Sequence, residues 1–302
     1  MASRSESNAG TSVAEQEQTL PDGFHIRAAA FQPVRVAYVR HVIFERLGID
    51  PSGRAALVVG SGRGQLAREF ARLGFALAAL DPAPVAVRMA REAAGLEGLP
   101  GDYEVGDPTR LPYPDAAFDV LYYQDTLETT DDLDRVFAEA TRVLSPDGVL
   151  LYDTVTRTRL SGLIYLRAFQ SWRWTRVMPP DRYAWERLRP PEELAAALAP
   201  HGLRNKDVQG FLPASPVRLL RATMRARRGD IDDVELAQLA GMHLAPAGKR
   251  PDVTYVGFAV RKKQELSEET PGARDARTDD SKTRAADRRT RDCEQHERHR
   301  FG

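Results

Sequence analysis

The run Ala55-Ala56-Leu57-Val58-Val59, ending on Gly60-Ser61-Gly62-Arg63-Gly64, constrains the fold more than any other stretch of the chain. A short continuous apolar run bounded by glycine reads as a fully buried strand. The next segment reads as a helix, because Leu66, Ala67, Phe70 and Leu73 recur at helical spacing until Gly74 stops them. Residues 75–80 form a second apolar run, so a strand, helix, strand unit is complete by residue 81. Such a unit implies parallel strands with helices packed on the faces of the sheet.

The same alternation continues. Pro82 and Pro84 mark the first turn of a second helix over 84–94. Residues 102–105 and 118–123 read as strands three and four, the latter entered through the turn Pro112-Tyr113-Pro114-Asp115. An amphipathic helix over 133–144 is expected to close in the turn Ser145-Pro146-Asp147-Gly148, with strand five over 149–153. From 156 to 190 the rhythm is broken by a segment rich in Trp, Tyr, Phe and Arg, long enough to suggest a lid or binding element. Residues 191–199 resume as helix and 203–211 as strand. A helical excursion over 214–250 precedes a last strand over 253–261, antiparallel if it hairpins with 203–211. The expected fold is therefore α/β, a Rossmann-like, mostly parallel seven-stranded sheet with helices on both faces and a lid insertion, over residues 21–262. Residues 1–20 and 263–302 are polar or charged and read as disordered ends.

Composition narrows the function classes. The 43 basic and 43 acidic residues cancel, which gives no footprint for nucleic acid. No window approaches the roughly 20 apolar residues of a membrane span, and the first 20 residues lack an apolar signal core. A cytoplasmic protein acting on a small molecule, monomeric or homodimeric, is the expectation. The single Cys293 allows neither an intramolecular disulfide nor a cysteine zinc cluster.

The glycine turn stands at the carboxyl end of the first strand, where open α/β sheets bind ligands. Gly60, Gly62 and Gly64 permit a tight turn and close approach of backbone to ligand. Asp81, 21 residues after Gly60, closes the second strand where a carboxylate can accept bonds from both ribose hydroxyls. An adenosine-bearing cofactor is implied. The G-S-G-R-G spacing departs from G-x-G-x-x-G and leaves the pyrophosphate turn of a nicotinamide enzyme unspecified, so an NAD-dependent oxidoreductase is the weaker reading. Gly106-Asp107-Pro108, after strand three, offers an aspartate for an adenine amino group.

Together, residues 55–64, Asp81, Gly106-Asp107, Tyr122-Tyr123-Gln124-Asp125 and Leu144-Ser145-Pro146-Asp147-Gly148 resemble the class I S-adenosylmethionine-dependent methyltransferases. Further segments are similar to the O-methyltransferases of ubiquinone biosynthesis: Asp125-Thr126-Leu127-Glu128, Asp153-Thr154-Val155-Thr156-Arg157, Arg176-Val177-Met178-Pro179-Pro180, Arg189-Pro190-Pro191-Glu192-Glu193-Leu194 and Asp252-Val253-Thr254-Tyr255. The resemblance implies methyl transfer from S-adenosyl-L-methionine to a hydroxyl of a phenolic, quinol-like or secondary-metabolite substrate. A sugar or lipid-linked hydroxyl, or a cofactor-binding homologue without activity, stays open. It further implies Gly60, Ser61 and Gly62 on the methionine part, Asp81 and Pro82 on ribose, Asp107 and Pro108 near adenine, and Gln124 at the cofactor's edge. Gln32-Pro33-Val34-Arg35 is similar to the family's N-P-x-R segment, which places Arg35 near the cofactor's carboxylate.

The chain departs from that pattern at three places. Val58 stands where the family has an acid two residues before the first glycine. Thr129 stands where an L-E-H histidine belongs to a cluster implicated in metal binding, which leaves a divalent metal open. Ala184-Trp185 replaces an H-D pair. Asp125 and Glu128, at i, i+3 just beyond strand four, are the candidates for general base or ligand; Glu128 equally suits a helix N-terminus. Arg218, Arg221, Arg225, Arg227 and Arg228 make a basic face, either solvated or suited to peripheral contact with a membrane.

Overall fold

The computed structural model describes residues 23–261 apart from Trp174; the expectations for both chain ends lie outside them. Helix α1 (Gly23–Arg40) runs into a π-helical turn, His41–Arg46. There follow β1 (Ala55–Val59), α2 (Gln65–Leu73), β2 (Ala76–Asp81), α3 (Pro84–Leu96), β3 (Asp102–Val105), β4 (Phe118–Tyr123), α4 (Leu133–Val143) and β5 (Leu144–Val155). A short α5 (Arg159–Ser161) continues as the π-helical Gly162–Phe169. The chain then forms α6 (Pro191–Leu198), β6 (Leu203–Pro213), α7 (Pro216–Arg228), α8 (Asp233–Ala240), β7 (Met242–Leu244) and β8 (Thr254–Arg261).

The strands make one sheet in the order β3-β2-β1-β4-β5-β8-β6-β7. Five neighbours from β3 to β5 are parallel, and β8 enters antiparallel between β5 and β6. The strand order reverses between β1 and β4, so the loops leaving these strands share one rim, the position where such sheets bind ligands. Alternate residues of each strand feed opposite cores. Val58, Val120, Tyr122 and Leu151 pack with Leu66 and Phe70, whereas Leu57, Val59, Leu121 and Leu150 pack with Phe137 and Leu194.

Two expectations need correction. The sheet has eight strands rather than seven, because β7 is a three-residue edge strand too short to show an alternation. The last strand is antiparallel to β6, as expected of a hairpin with 203–211, and it pairs with β5 as well. Strand five begins at Leu144, which pairs with Phe118; the next paired couple is Val149 with Val120, so residues 145–148 bulge within the strand instead of preceding it. Helix α1 carries Pro33 in its interior, where proline usually breaks a helix. Its buried face of Ile26, Ala30, Val34 and Tyr38 supplies the packing that offsets the lost hydrogen bond.

Candidate active site

At the carboxyl end of β1 the chain turns back on β2. Gly60 and Ser61 both donate N–H to Leu80 O, at 2.8 and 3.1 Å, and Gly62 donates to Asp81 Oδ2 at 2.8 Å. The other oxygen, Asp81 Oδ1, accepts from Ala83 N at 2.9 Å, which fixes the carboxylate where β2 ends and α3 begins. Two glycines of the turn are confined for different reasons. Gly60 has φ +74°, and a Cβ there would lie 2.3 Å from Gln124 O and 2.4 Å from Thr126 Oγ1. Gly62 has φ +52° but faces open space, with nothing within 4 Å of the added carbon. Gly60 is thus closed in by protein, and Gly62 forms the open side of a cradle.

Gln124 leaves β4 with its N–H on Val59 O at 2.9 Å, and its buried Oε1 has no hydrogen-bond partner. Asp107 lies beyond β3, where its Oδ1 accepts from both the N–H and the hydroxyl of Thr109. Gly106 N–H reaches Asp81 O at 3.2 Å, drawing the two loops together. The turn, Asp81, Asp107 and Gln124 therefore gather on one rim, as the sequence predicts. Val58 is fully buried in the core that holds Leu66, Phe70 and Val120, and brings no acid to the end of β1.

Next to the turn lies a buried network of charge. Arg35 Nη2 donates to Asp125 Oδ1 at 2.7 Å and to Asp153 Oδ2 at 2.6 Å. Arg27 pairs with Asp125 Oδ1 through Nη2 at 2.8 Å and with Glu128 Oε1 through Nη1 at 2.8 Å. Thr154 Oγ1 donates to Glu128 Oε2 at 2.9 Å, and Tyr122 OH to Asp153 Oδ1 at 3.0 Å. Phe31 stands between the arginines, each guanidinium carbon 5.6 Å from its ring centre. Both arginines sit on α1 eight residues apart, at positions i and i+8 around Phe31.

Burial pushes the Asp125 carboxyl up, but the two arginines outweigh it and hold the group well below the usual carboxylate range. Asp153 moves the opposite way, because burial and the neighbouring Asp125 charge exceed what Arg35 returns. A carboxylate held so low is a poor proton acceptor. Asp125 and Glu128, expected on one helix face, instead lie in a turn where Asp125 has φ +48°. Both acids anchor arginines. Arg35 belongs to the same network; it is fully buried, and its Nε and Nη1 lack hydrogen-bond partners. Arg27 and Asp153 are site residues that the sequence motifs do not reveal. A charged residue inside the apolar stretch Ile26 to Phe31, and an acid ending the run Val149 to Tyr152, were the available signals.

The segment 156–190 meets this network through Tyr165 and Tyr183. Val155, Tyr165, Met178, Tyr183 and Leu188 form a small separate core with Phe24 and Phe169 at its edge. Tyr165 and Tyr183 meet edge to face at 4.9 Å, and Arg27 lies 5.1 Å above the Tyr165 ring and donates to Tyr183 OH at 3.0 Å. A cleft of about 610 Å³ lies elsewhere, between α1, α2 and α8; its lining includes Gln32, Gln65 and Asp233 but none of the three turn glycines and not Asp81. The histidines take structural places: His25 pairs with Asp233, His41 with Glu45 and His201 with Asp134.

Residues 57–152 match a methyltransferase domain family. The chain is 33% identical over 188 residues to a ubiquinone biosynthesis O-methyltransferase of Paramagnetospirillum magneticum, covering 60% of this chain and 74% of the relative. The chain belongs to that O-methyltransferase family. Another member, the ubiquinone biosynthesis O-methyltransferase of Brucella anthropi, is 30% identical over 215 residues, covering 69% of this chain and 84% of the relative. Among solved structures, a SAM-dependent methyltransferase from Methanosarcina mazei superimposes with a TM-score of 0.51 at 16% identity, over 71% of this chain and 94% of that one. One from Aquifex aeolicus does so at 0.50 and 15%, over 80% and 98%. At such identities these two share the fold. Family membership makes the protein an S-adenosylmethionine-dependent methyltransferase and decides against the oxidoreductase reading. Among the described residues of this methyltransferase, no helix is long and apolar enough to cross a membrane.

Proposed function

We propose that this methyltransferase moves the methyl group of S-adenosylmethionine to a hydroxyl of a phenolic or quinol-like small molecule. The observation that carries the reading is the juxtaposition of the glycine cradle after β1 with the buried charge network after β4, against which the rings of Phe31, Tyr165 and Tyr183 pack. The open side of Gly62, the fixed Asp81 carboxylate and the unpartnered Gln124 Oε1 fit the cofactor. Gly60, Ser61 and Gly62 would hold its methionine part, Asp81 with Pro82 its ribose, Asp107 with Pro108 its adenine edge, and Gln124 its flank. The unpartnered Nε and Nη1 of Arg35 suit its carboxylate. When bound, it supplies an electrophilic methyl group on a sulfonium.

The rest is done by the chain. Phe31, Tyr165 and Tyr183 surround Arg27 with aromatic rings, an environment that suits a flat aromatic acceptor. The segment 156–190 acts as a lid that excludes water, which favours a displacement in which an oxyanion and a sulfonium neutralise each other. Holding the two reactants in line contributes a large share of the rate. The names of the relatives, which act in ubiquinone biosynthesis, support a quinol-like acceptor.

The test is transfer of labelled methyl from S-adenosylmethionine to a panel of catechols, quinols, simple phenols and sugars. Transfer to catechols or quinols at least tenfold faster than to the sugars is expected. Transfer confined to sugars would overturn the acceptor class. Calorimetry that shows no S-adenosylmethionine binding would overturn the cofactor residues.

A further inference from the structure

The charge network differs from what an acidic cluster for a divalent cation requires. Mg²⁺ demands about six oxygen ligands at roughly 2.0–2.1 Å. Here the carboxylates already have partners: Asp125 Oδ1 accepts from Arg35 and forms an ion pair with Arg27, Glu128 Oε1 has Arg27, Glu128 Oε2 has Thr154, Asp153 Oδ2 has Arg35 and Asp153 Oδ1 has Tyr122. Among the described residues no group of three His, Cys, Asp or Glu side chains is arranged to hold a metal. A cation could reach these oxygens only by displacing the arginines, Thr154 or Tyr122 that already hold them. The residues present do not fit a metal.

We propose that Arg27 stands in for the divalent cation, its guanidinium being the positive charge that receives the ionising hydroxyl of the acceptor. This rests on methyl transfer to a phenolic hydroxyl. Of the two arginines, Arg27 is the one that touches the lid: it donates to Tyr183 OH and lies over the Tyr165 ring, and its buried Nε has no acceptor. Arg35 is deeper and is held by Asp125 and Asp153. Asp125 and Glu128 position Arg27 through Nη2 and Nη1, at 2.8 Å each. A phenol ionises near pH 10 in water, and a cation within hydrogen-bond reach lowers such a value by about 1 to 3 units. The hydroxyl proton leaves to solvent. The oxygen lone pair then forms the carbon–oxygen bond as the carbon–sulfur bond breaks, its electron pair staying on sulfur. Arg27 remains charged throughout.

Two measurements on the full chain test this. Titration with MnCl₂ and MgCl₂, without cofactor, is expected to give no saturable heat up to millimolar concentrations, and methyl transfer is expected to change less than about twofold in excess EDTA. One-to-one metal binding tighter than about 100 µM, with activity lost in EDTA and restored by the metal, overturns the proposal. The metal titration reads this inference even if no acceptor is ever methylated, so the two readings fail separately. In the second measurement, Arg27→Gln raises the acid limb of kcat/KM by about one pH unit or more, and Arg27→Lys brings it back. A wild-type limb in folded Arg27→Gln overturns the proposal. If Arg27→Gln does not fold, the comparison rests on Arg27→Lys: with the weaker, single-point donor, the rate falls about tenfold or more at KM within threefold, and an unchanged rate overturns the proposal.

Discussion

Gly60→Ala and Gly62→Ala form a matched pair, one methyl group each, two residues apart in the same turn. At Gly60, φ +74° imposes about 1–2 kcal/mol on any L side chain. The new carbon would also meet Gln124 O at 2.3 Å and Thr126 Oγ1 at 2.4 Å. Gln124 O belongs to backbone anchored through Val59, so relief requires β1 and the β4 loop to part. Overpacking of that kind costs about 1–3 kcal/mol more, giving roughly 2–5 kcal/mol in all. At Gly62 the φ of +52° carries a similar backbone cost, and the carbon enters open space. Only about 1–2 kcal/mol is expected there. Cofactor binding should show the reverse order. The Gly62 methyl occupies the open side of the cradle, so affinity for S-adenosylmethionine falls at least tenfold, about 1.4 kcal/mol, in a protein that is still folded. Urea unfolding supplies the stability difference and calorimetry the affinity. Equal stabilities for the two variants, or unchanged affinity in Gly62→Ala, would refute the division of the turn into a packed glycine and a ligand-facing one.

Asp81→Asn keeps the shape but removes the charge that accepts from Gly62 N and Ala83 N, and cofactor affinity should drop by roughly 1–3 kcal/mol in calorimetry. Arg35→Met strands Asp125 and Asp153 in the core and should cost about 3–5 kcal/mol in denaturant unfolding, whereas a loss under 1 kcal/mol would mean the network is not formed. For pH, burial pushes Asp153 up to about 7, so the folded state holds this proton more tightly than the unfolded chain, whose carboxyl ionises near 4. Its contribution is complete below about pH 4 and is lost as pH rises through 7. Asp125 works in the opposite sense, its contribution present above about pH 4 and lost only on further acidification. Asp153→Asn should therefore flatten the fall in stability between pH 5 and 8 that wild type shows in urea melts; an unchanged slope would count against the assignment.

Much of the frame could be read along the chain because the central parallel strands are buried on both faces and so leave largely apolar runs, as at residues 55–59 and 118–123. The glycine turn was legible for a related reason, since positive φ and close approach leave glycine as the residue of choice. The three residues of β7 carry no such signature, and Pro33 argued locally against the helix that tertiary packing imposes. The charge network was hidden by distance. Arg35 meets Asp125 and Asp153 across 90 and 118 residues, and Arg27 meets Glu128 across 101. Sequence order placed Asp125 and Glu128 near the rim correctly. It could not show that two guanidinium groups from α1 would reach them.

The antiparallel β8 has a bearing on how the chain assembles. β5 and β6 are neighbours of β8 and not of each other, so until residues 254–261 exist the sheet ends at β5, and β6 and β7 have no edge to join. Contacts that close a sheet late in sequence are slow to form, and exposed edges in the meantime invite misassociation. On a ribosome, the first five strands can order as they emerge, while the last third of the described chain waits for its final strand. The emergence of residues 254–261, more than any early step, would then set when the sheet becomes complete.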